Sequence, residues 1–180
     1  MSECAERWKV AMDDEFLSLK QNQTWELVPR PTDQNVIGSR WTFKLKLGAD
    51  GSVVRHKARL VAQGYSQTHG VDFEEVFSPV AHKTTIRALL SYANSHDLHI
   101  HQMDVKTAFL NGVIDCDLYM EQPEGYHDPD KPDYVCKLAK GIYGLKQAAR
   151  CWNGRIDQYF IEGGYTKISA DSCIYISNQS

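Results

Sequence analysis

Apolar positions recur with two different periods along this chain, and the changes of period divide it into elements. Over residues 5–21, Trp8, Met12, Phe16 and Leu19 stand at helical spacing, with Asp13, Asp14 and Glu15 on or beside the opposite face. This predicts an amphipathic helix, which QNQT at 21–24 ends. A short run at 25–28 stops at Pro29, and PRPTDQN reads as a loop. Over 40–47 the period drops to two. Arg40, Thr42, Lys44 and Lys46 alternate with Trp41, Phe43, Leu45 and Leu47, which predicts a strand with one buried face and one basic face. GADG at 48–51 marks a turn. Residues 53–62 return as a second strand, with Arg55, Lys57 and Arg59 two apart on one face. The pair is expected to form a β-hairpin carrying a row of cations.

Residues 64–82 look irregular, with two glycines and a proline. Ile86, Leu89, Leu90 and Ala93 predict a helix over 84–93. From 98 to 104, Leu98, Ile100 and Gln102 alternate with His99, His101 and Met103, predicting a strand that ends in Asp104. Residues 118–120 and 134–138 read as short strands around the loop EQPEGYHDPDKPD. Beyond Lys146, Trp152, Ile156, Tyr159 and Phe160 mark a helix that ends at Gly163 and Gly164. Residues 173–176 would be one more strand. The order implies an α+β fold in which helices support an antiparallel sheet.

Charge sharpens this picture at one place. The net charge is −3. Residues 1–35 hold seven acids against four bases, whereas residues 40–59 hold six bases against Asp50 alone. A basic patch in a mildly acidic chain suggests a phosphate-bearing partner, and a solvated surface hairpin is the competing reading. The five cysteines are odd in number and form no CxxC, which fits free thiols rather than a disulfide framework. No apolar run approaches the roughly 20 residues of a membrane span, and the N-terminus lacks a signal-peptide core. An intracellular, cytoplasmic protein is expected. His96, His99 and His101 have no third ligand at suitable spacing, and Asp128, Asp130 and Asp133 sit among prolines in an expected exposed loop.

Six phrases then stand in a recognisable order: NQTWELV, RHKARLVAQGYSQTHGVDFEEVFSPV, TTIRALL, QMDVKTAFLNG, LYMEQPEGY and YGLKQAARCW. Together they resemble the reverse transcriptase domain of copia-type LTR retrotransposons, over nearly the whole chain. The resemblance implies a right-hand polymerase fold, with fingers mainly in residues 1–97 and palm mainly in 98–180, interleaved within one partial domain. It implies an RNA-directed DNA polymerase, a nucleotidyltransferase that extends a primer on an RNA or DNA template with deoxynucleoside triphosphates.

That chemistry uses two Mg²⁺ ions about 3.5–4 Å apart, which stabilise the attacking and leaving oxygens. Mg²⁺ takes carboxylate, carbonyl, phosphate and water oxygens. By the resemblance, Asp104 is the first palm carboxylate and the Val105 carbonyl helps hold the nucleotide-bound metal. By spacing alone, Asp104 could equally cap a short helix near Thr107. The resemblance makes Phe109 the ring under the incoming sugar, excluding a 2′-OH. It places Lys57 and Arg59 on the triphosphate, without deciding which of them takes it. Arg suits bidentate phosphate contact and Lys acts as a point charge. Gln147 would lie against the incoming base pair. The family's proline after this position is missing, since Ala148-Ala149-Arg150 follows. Arg40, Lys44 and Lys46 would contact template backbone or face solvent. For Arg150, template phosphate and helix-surface solvation stay equally open.

The family's Tyr-x-Asp-Asp block, which supplies two further metal carboxylates, is not in this sequence. Asp115, Asp117 and Asp171 form no such pair. The chain is therefore expected to be inactive alone. A noncatalytic nucleic-acid-binding module and a decayed or domesticated remnant are the alternatives.

Overall fold

The computed structural model describes residues 3–177. Among them the order is α1 (Glu3–Gln21), β1 (Trp25–Pro29), β2 (Val36–Ile37), β3 (Ser39–Leu47), β4 (Val53–Ala62), α2 (Lys83–Ser95), β5 (Tyr119–Met120), β6 (Tyr134–Leu138), α3 (Ala148–Glu162), β7 (Tyr165–Lys167) and β8 (Tyr175–Ser177). The fold is mixed α/β.

The first helix forms where its stripe predicts, burying Ala11 and Leu19. QNQT ends it by occupying its last carbonyls. The Asn22 amide donates to the Ser18 carbonyl and the Thr24 hydroxyl to the Leu19 carbonyl, each at 2.8 Å. Gln23 supplies the left-handed turn, with φ 52°.

β1, β6, β5 and β2 form a four-stranded sheet in that order. β1 runs antiparallel to β6, from Trp25 opposite Leu138 to Pro29 opposite Tyr134. β5 is also antiparallel to β6, but β2 pairs parallel with β5, so the expected antiparallel sheet has one parallel edge. β2 lies just after the predicted loop; two residues are too few to show a period. The core gathers on this sheet: Ile37, Met120, Cys136 and Leu138 meet Leu19, Leu60, Ala62, Leu118, Ile142 and Leu145. Each fully buried aliphatic side chain contributes about 1.5–3 kcal/mol.

The β3–β4 hairpin forms with Lys44 opposite Lys57, Lys46 opposite Arg55 and Thr42 opposite Arg59. Its apolar face is buried only near the base, at Ala58, Leu60 and Ala62. Trp8 packs edge-on against Phe43 and His56, at 5.2 and 4.5 Å between centroids. Farther out, Leu45, Leu47, Val53 and Val54 are exposed, so the predicted buried face is corrected for the outer half. There Val53 and Val54 share an open cleft with Val10 of α1.

Two further expectations change. Residues 98–104 form no strand; they are exposed and hold no regular structure. An extended segment persists only beside a hydrogen-bonded neighbour, and here none of the described strands pairs with it. Asp104 therefore does not end a strand. α2 forms as predicted, but its stripe of Ile86, Leu89 and Leu90 stays about half exposed. The last strand forms two residues later than expected at its start, and pairs with the unpredicted β7. Asp171 connects this end of the chain to α2. One of its carboxylate oxygens accepts the His82 N–H and the other accepts the Cys173 N–H, both at 3.0 Å.

Candidate functional site

A cleft of about 620 Å³ opens between α1, β4 and the loop that follows residue 103. Asp14 and Glu15 line it from α1; Arg55, Lys57 and Arg59 line it from β4. Asp104, Val105, Lys106 and Thr107 line it from the loop. A smaller cavity of about 70 Å³ adjoins it, where Lys57, Arg59 and Glu15 meet Thr107, Phe109 and Tyr143. Five of the sequence-predicted residues thus share one neighbourhood: Lys57, Arg59, Asp104, Val105 and Phe109.

The loop is shaped by Thr107, which is left-handed with φ 53° and ψ 44°. That conformation is rare for a β-branched residue and stores strain. Its hydroxyl donates to the Lys106 carbonyl at 2.7 Å. A 3-10 turn over Ala108–Asn111 then buries Leu110 and turns Phe109 against Tyr143, ring edge to face at 4.9 Å. The Arg59 guanidinium lies 4.8 Å from the centre of the same Tyr143 ring. Arg59, Tyr143 and Phe109 thus form one stack along the wall.

Lys57 and Arg59 have no carboxylate within ion-pair distance among the described residues. Burial lowers the Lys57 pKa, and repulsion from Arg59, Arg55 and Lys46 lowers it further, while Glu15 opposes both. The two half-buried cations thus leave a positive field in the cleft that Glu15 offsets only in part. Burial pushes the Glu15 carboxyl up, against the pull of the Leu60 backbone and of Lys57 and Arg59.

Gln147 and Arg150 stand apart from this neighbourhood. Gln147 is fully buried at the start of α3. Its amide oxygen accepts from Gln67 at 3.0 Å, and its amide nitrogen donates to the Asp72 carbonyl at 2.9 Å. The Asp72 carboxylate accepts from the Thr68 N–H at 2.7 Å and the Asn35 amide at 2.9 Å. The QTHGVD loop is thereby pinned to α3 and to the approach to β2. The Arg150 guanidinium bonds the Asp115 carboxylate and the Glu75 carbonyl. Arg40, Lys44 and Lys46 are exposed along the hairpin.

Sequence reasoning missed Glu15, Tyr143 and Asp72. Glu15 sits on the polar side of a helical stripe, where a solvated charge is the ordinary expectation. Tyr143 lies inside the quoted YGLKQAAR block, and Asp72 inside QTHGVDF. Both could have been found by asking what those motifs hold in place.

As a metal centre the site is incomplete. Among the described residues, no three His, Cys, Asp or Glu side chains stand close enough to hold an ion. Asp104 offers a single carboxylate, so these donors do not fit a two-Mg²⁺ set and no step through metal follows from them.

The site is a cleft against a mixed α/β core, lined by Arg55, Lys57, Arg59 and Lys106 and by Asp14, Glu15 and Asp104. The sequence family described as reverse transcriptase (RNA-dependent DNA polymerase) matches residues 22–180, and the chain belongs to it. It is 46% identical over 170 residues to the retrovirus-related Pol polyprotein from transposon TNT 1-94 of Nicotiana tabacum, covering 94% of this chain and 13% of that protein. It is 45% identical over 172 residues to the corresponding polyprotein from transposon RE1 of Arabidopsis thaliana, covering 95% and 12%. The Ty1-BL Gag-Pol polyprotein of Saccharomyces cerevisiae is 30% identical, over 97% of this chain and 10% of its own length. The chain spans 12–13% of the length of the first two relatives. No solved structure matches it. No described helix is long and apolar enough to cross a membrane.

Proposed function

We propose that this chain forms the fingers and the first part of the palm of a retrotransposon RNA-directed DNA polymerase. Residues 1–97 belong mainly to the fingers and 98–180 mainly to the palm. The two parts interleave, as the β1–β6 and β2–β5 pairings support. Lys57 and Arg59 take the triphosphate of a deoxynucleotide, and Phe109 lies under its sugar. Asp104 and the Val105 carbonyl stand where Mg²⁺ enters once further carboxylates accompany them. One observation carries this reading: Lys57, Arg59, Asp104 and Val105, far apart in sequence, line one cleft, and Phe109 adjoins it. Gln147 acts through packing, because its amide is already committed.

The donor set leads to a definite expectation: the 180-residue chain alone extends no primer. Extension on poly-rA with dTTP and Mg²⁺, clearly above an Asp104→Asn control, overturns it. Binding is the positive test. dTTP is expected to bind the chain, and Lys57→Ala with Arg59→Ala is expected to abolish that binding.

A second reading has its own support. Lys44 faces Lys57 and Lys46 faces Arg55 across the hairpin, and like charges directly opposite destabilise a sheet. Phosphate backbones relieve such repulsion, which suits a noncatalytic nucleic-acid-binding module. Salt-dependent RNA binding without dTTP binding would favour it.

A further inference from the structure

Glu15 belongs to α1, outside every motif that carries the family resemblance, yet it lines both the cleft and the small cavity beside it. Its half-buried side chain faces Lys57 and Arg59 there, and both cations pull on its carboxyl. An anion at that point meets the field that an incoming phosphate would meet. It attracts both cations without closing an ion pair with either, so the cations stay available but partly neutralised.

We propose that Glu15 is a specificity-determining residue whose carboxylate competes with phosphate groups for the field of Lys57 and Arg59. It lowers the affinity of the two cations for every anion, and most for the most highly charged. The inference rests on the triphosphate reading of the two cations. Three observations support it. Glu15 lines both cavities beside Lys57 and Arg59. Burial pushes its pKa up, the mark of a charge held away from water. Arg59 is fixed by the Tyr143 ring, so it does not turn away to relieve the competition.

Titration calorimetry with inorganic tripolyphosphate, free of divalent cations, tests this on the 180-residue chain. Glu15→Gln keeps the shape of the side chain and removes the charge. It is expected to tighten tripolyphosphate on the order of fivefold, by Coulomb attraction no longer offset, and to tighten orthophosphate less, so that the preference for the more highly charged anion grows. Glu162→Gln makes the same net-charge change on α3, far along the chain from the cleft, and is expected to bind as wild type. Unchanged or weaker binding by Glu15→Gln overturns the inference, and so does an equal gain in Glu162→Gln. Wild-type chain that binds no tripolyphosphate, or binds it equally well without Lys57 and Arg59, overturns the triphosphate reading instead. A thermal melt of each variant without ligand confirms that the folded states being compared are intact.

Discussion

Gln147 and Glu15 both stand in surroundings that local sequence does not suggest for them. The glutamine stands in a motif that resembles a nucleotide contact, but it is buried and fully bonded. Replacing it by leucine removes the shorter bonds of the Gln67 amide and the Asp72 carbonyl, leaving them a 3.4 Å bond to each other and the carbonyl its bond from the Cys116 thiol, and is expected to cost about 1–3 kcal/mol in all. Urea unfolding measures that. Gly144 is as tightly placed: its φ is 92°, and an added Cβ would lie 2.1 Å from the Ala62 carbonyl oxygen. Two carboxyls give opposite pH responses. The Cys173 and His82 N–H bonds hold Asp171 below the usual aspartate range. The folded form then binds its proton less readily than the unfolded one. Its stabilisation is complete above about pH 4 and is lost as pH falls through the depressed folded value. Asp171→Asn is expected to flatten the acid limb of a stability-versus-pH curve. Glu15, held up by burial, stabilises fully below the usual glutamate range and loses that contribution as pH rises through its raised folded value. Glu15→Gln is therefore expected to be no less stable than wild type at neutral pH, as melting will show.

The elements divide by what covers them. α1, the hairpin and α3 form where period and turn residues predict, because helix and hairpin signals act over a few neighbours. α2 shows the limit of such signals. Its stripe fixes a helix but names no partner, and Leu89 and Leu90 remain about half exposed. Leu90→Lys is expected to change unfolding free energy by less than about 0.5 kcal/mol and to reduce self-association, read by denaturant melts and light scattering. The segment at 98–104 shows the same limit for strands, since alternation supplies a face but a strand also needs an edge to bind. On the hairpin, Lys44→Thr removes one like-charge pair. It is expected to add about 0.2–1 kcal/mol of stability while weakening RNA binding and lowering its salt slope by about one ion. Parallel melts and salt-titrated RNA binding separate the two effects.

At the scale of the molecule, the core is gathered on one side. Residues from α1, β2, β4, β5, β6 and α3 bury each other, with Trp25 and Leu27 of β1 packed against them, while residues 76–105 bury almost nothing. Limited proteolysis is expected to cut first within 76–105 and to leave the sheet and α3 protected, since local opening costs least where few apolar contacts are lost. The sequence by itself determined the local elements, the basic hairpin and membership of the polymerase family, because periods, turn residues and motif order are all written in short windows. Only the tertiary structure decided that residues 98–104 lack a strand neighbour, that Gln147 is sealed in a bonded core, and that Glu15 shares a cleft with Lys57 and Arg59. Those are relations between residues distant along the chain, set by which surfaces find partners when it closes, and no local pattern carries that information.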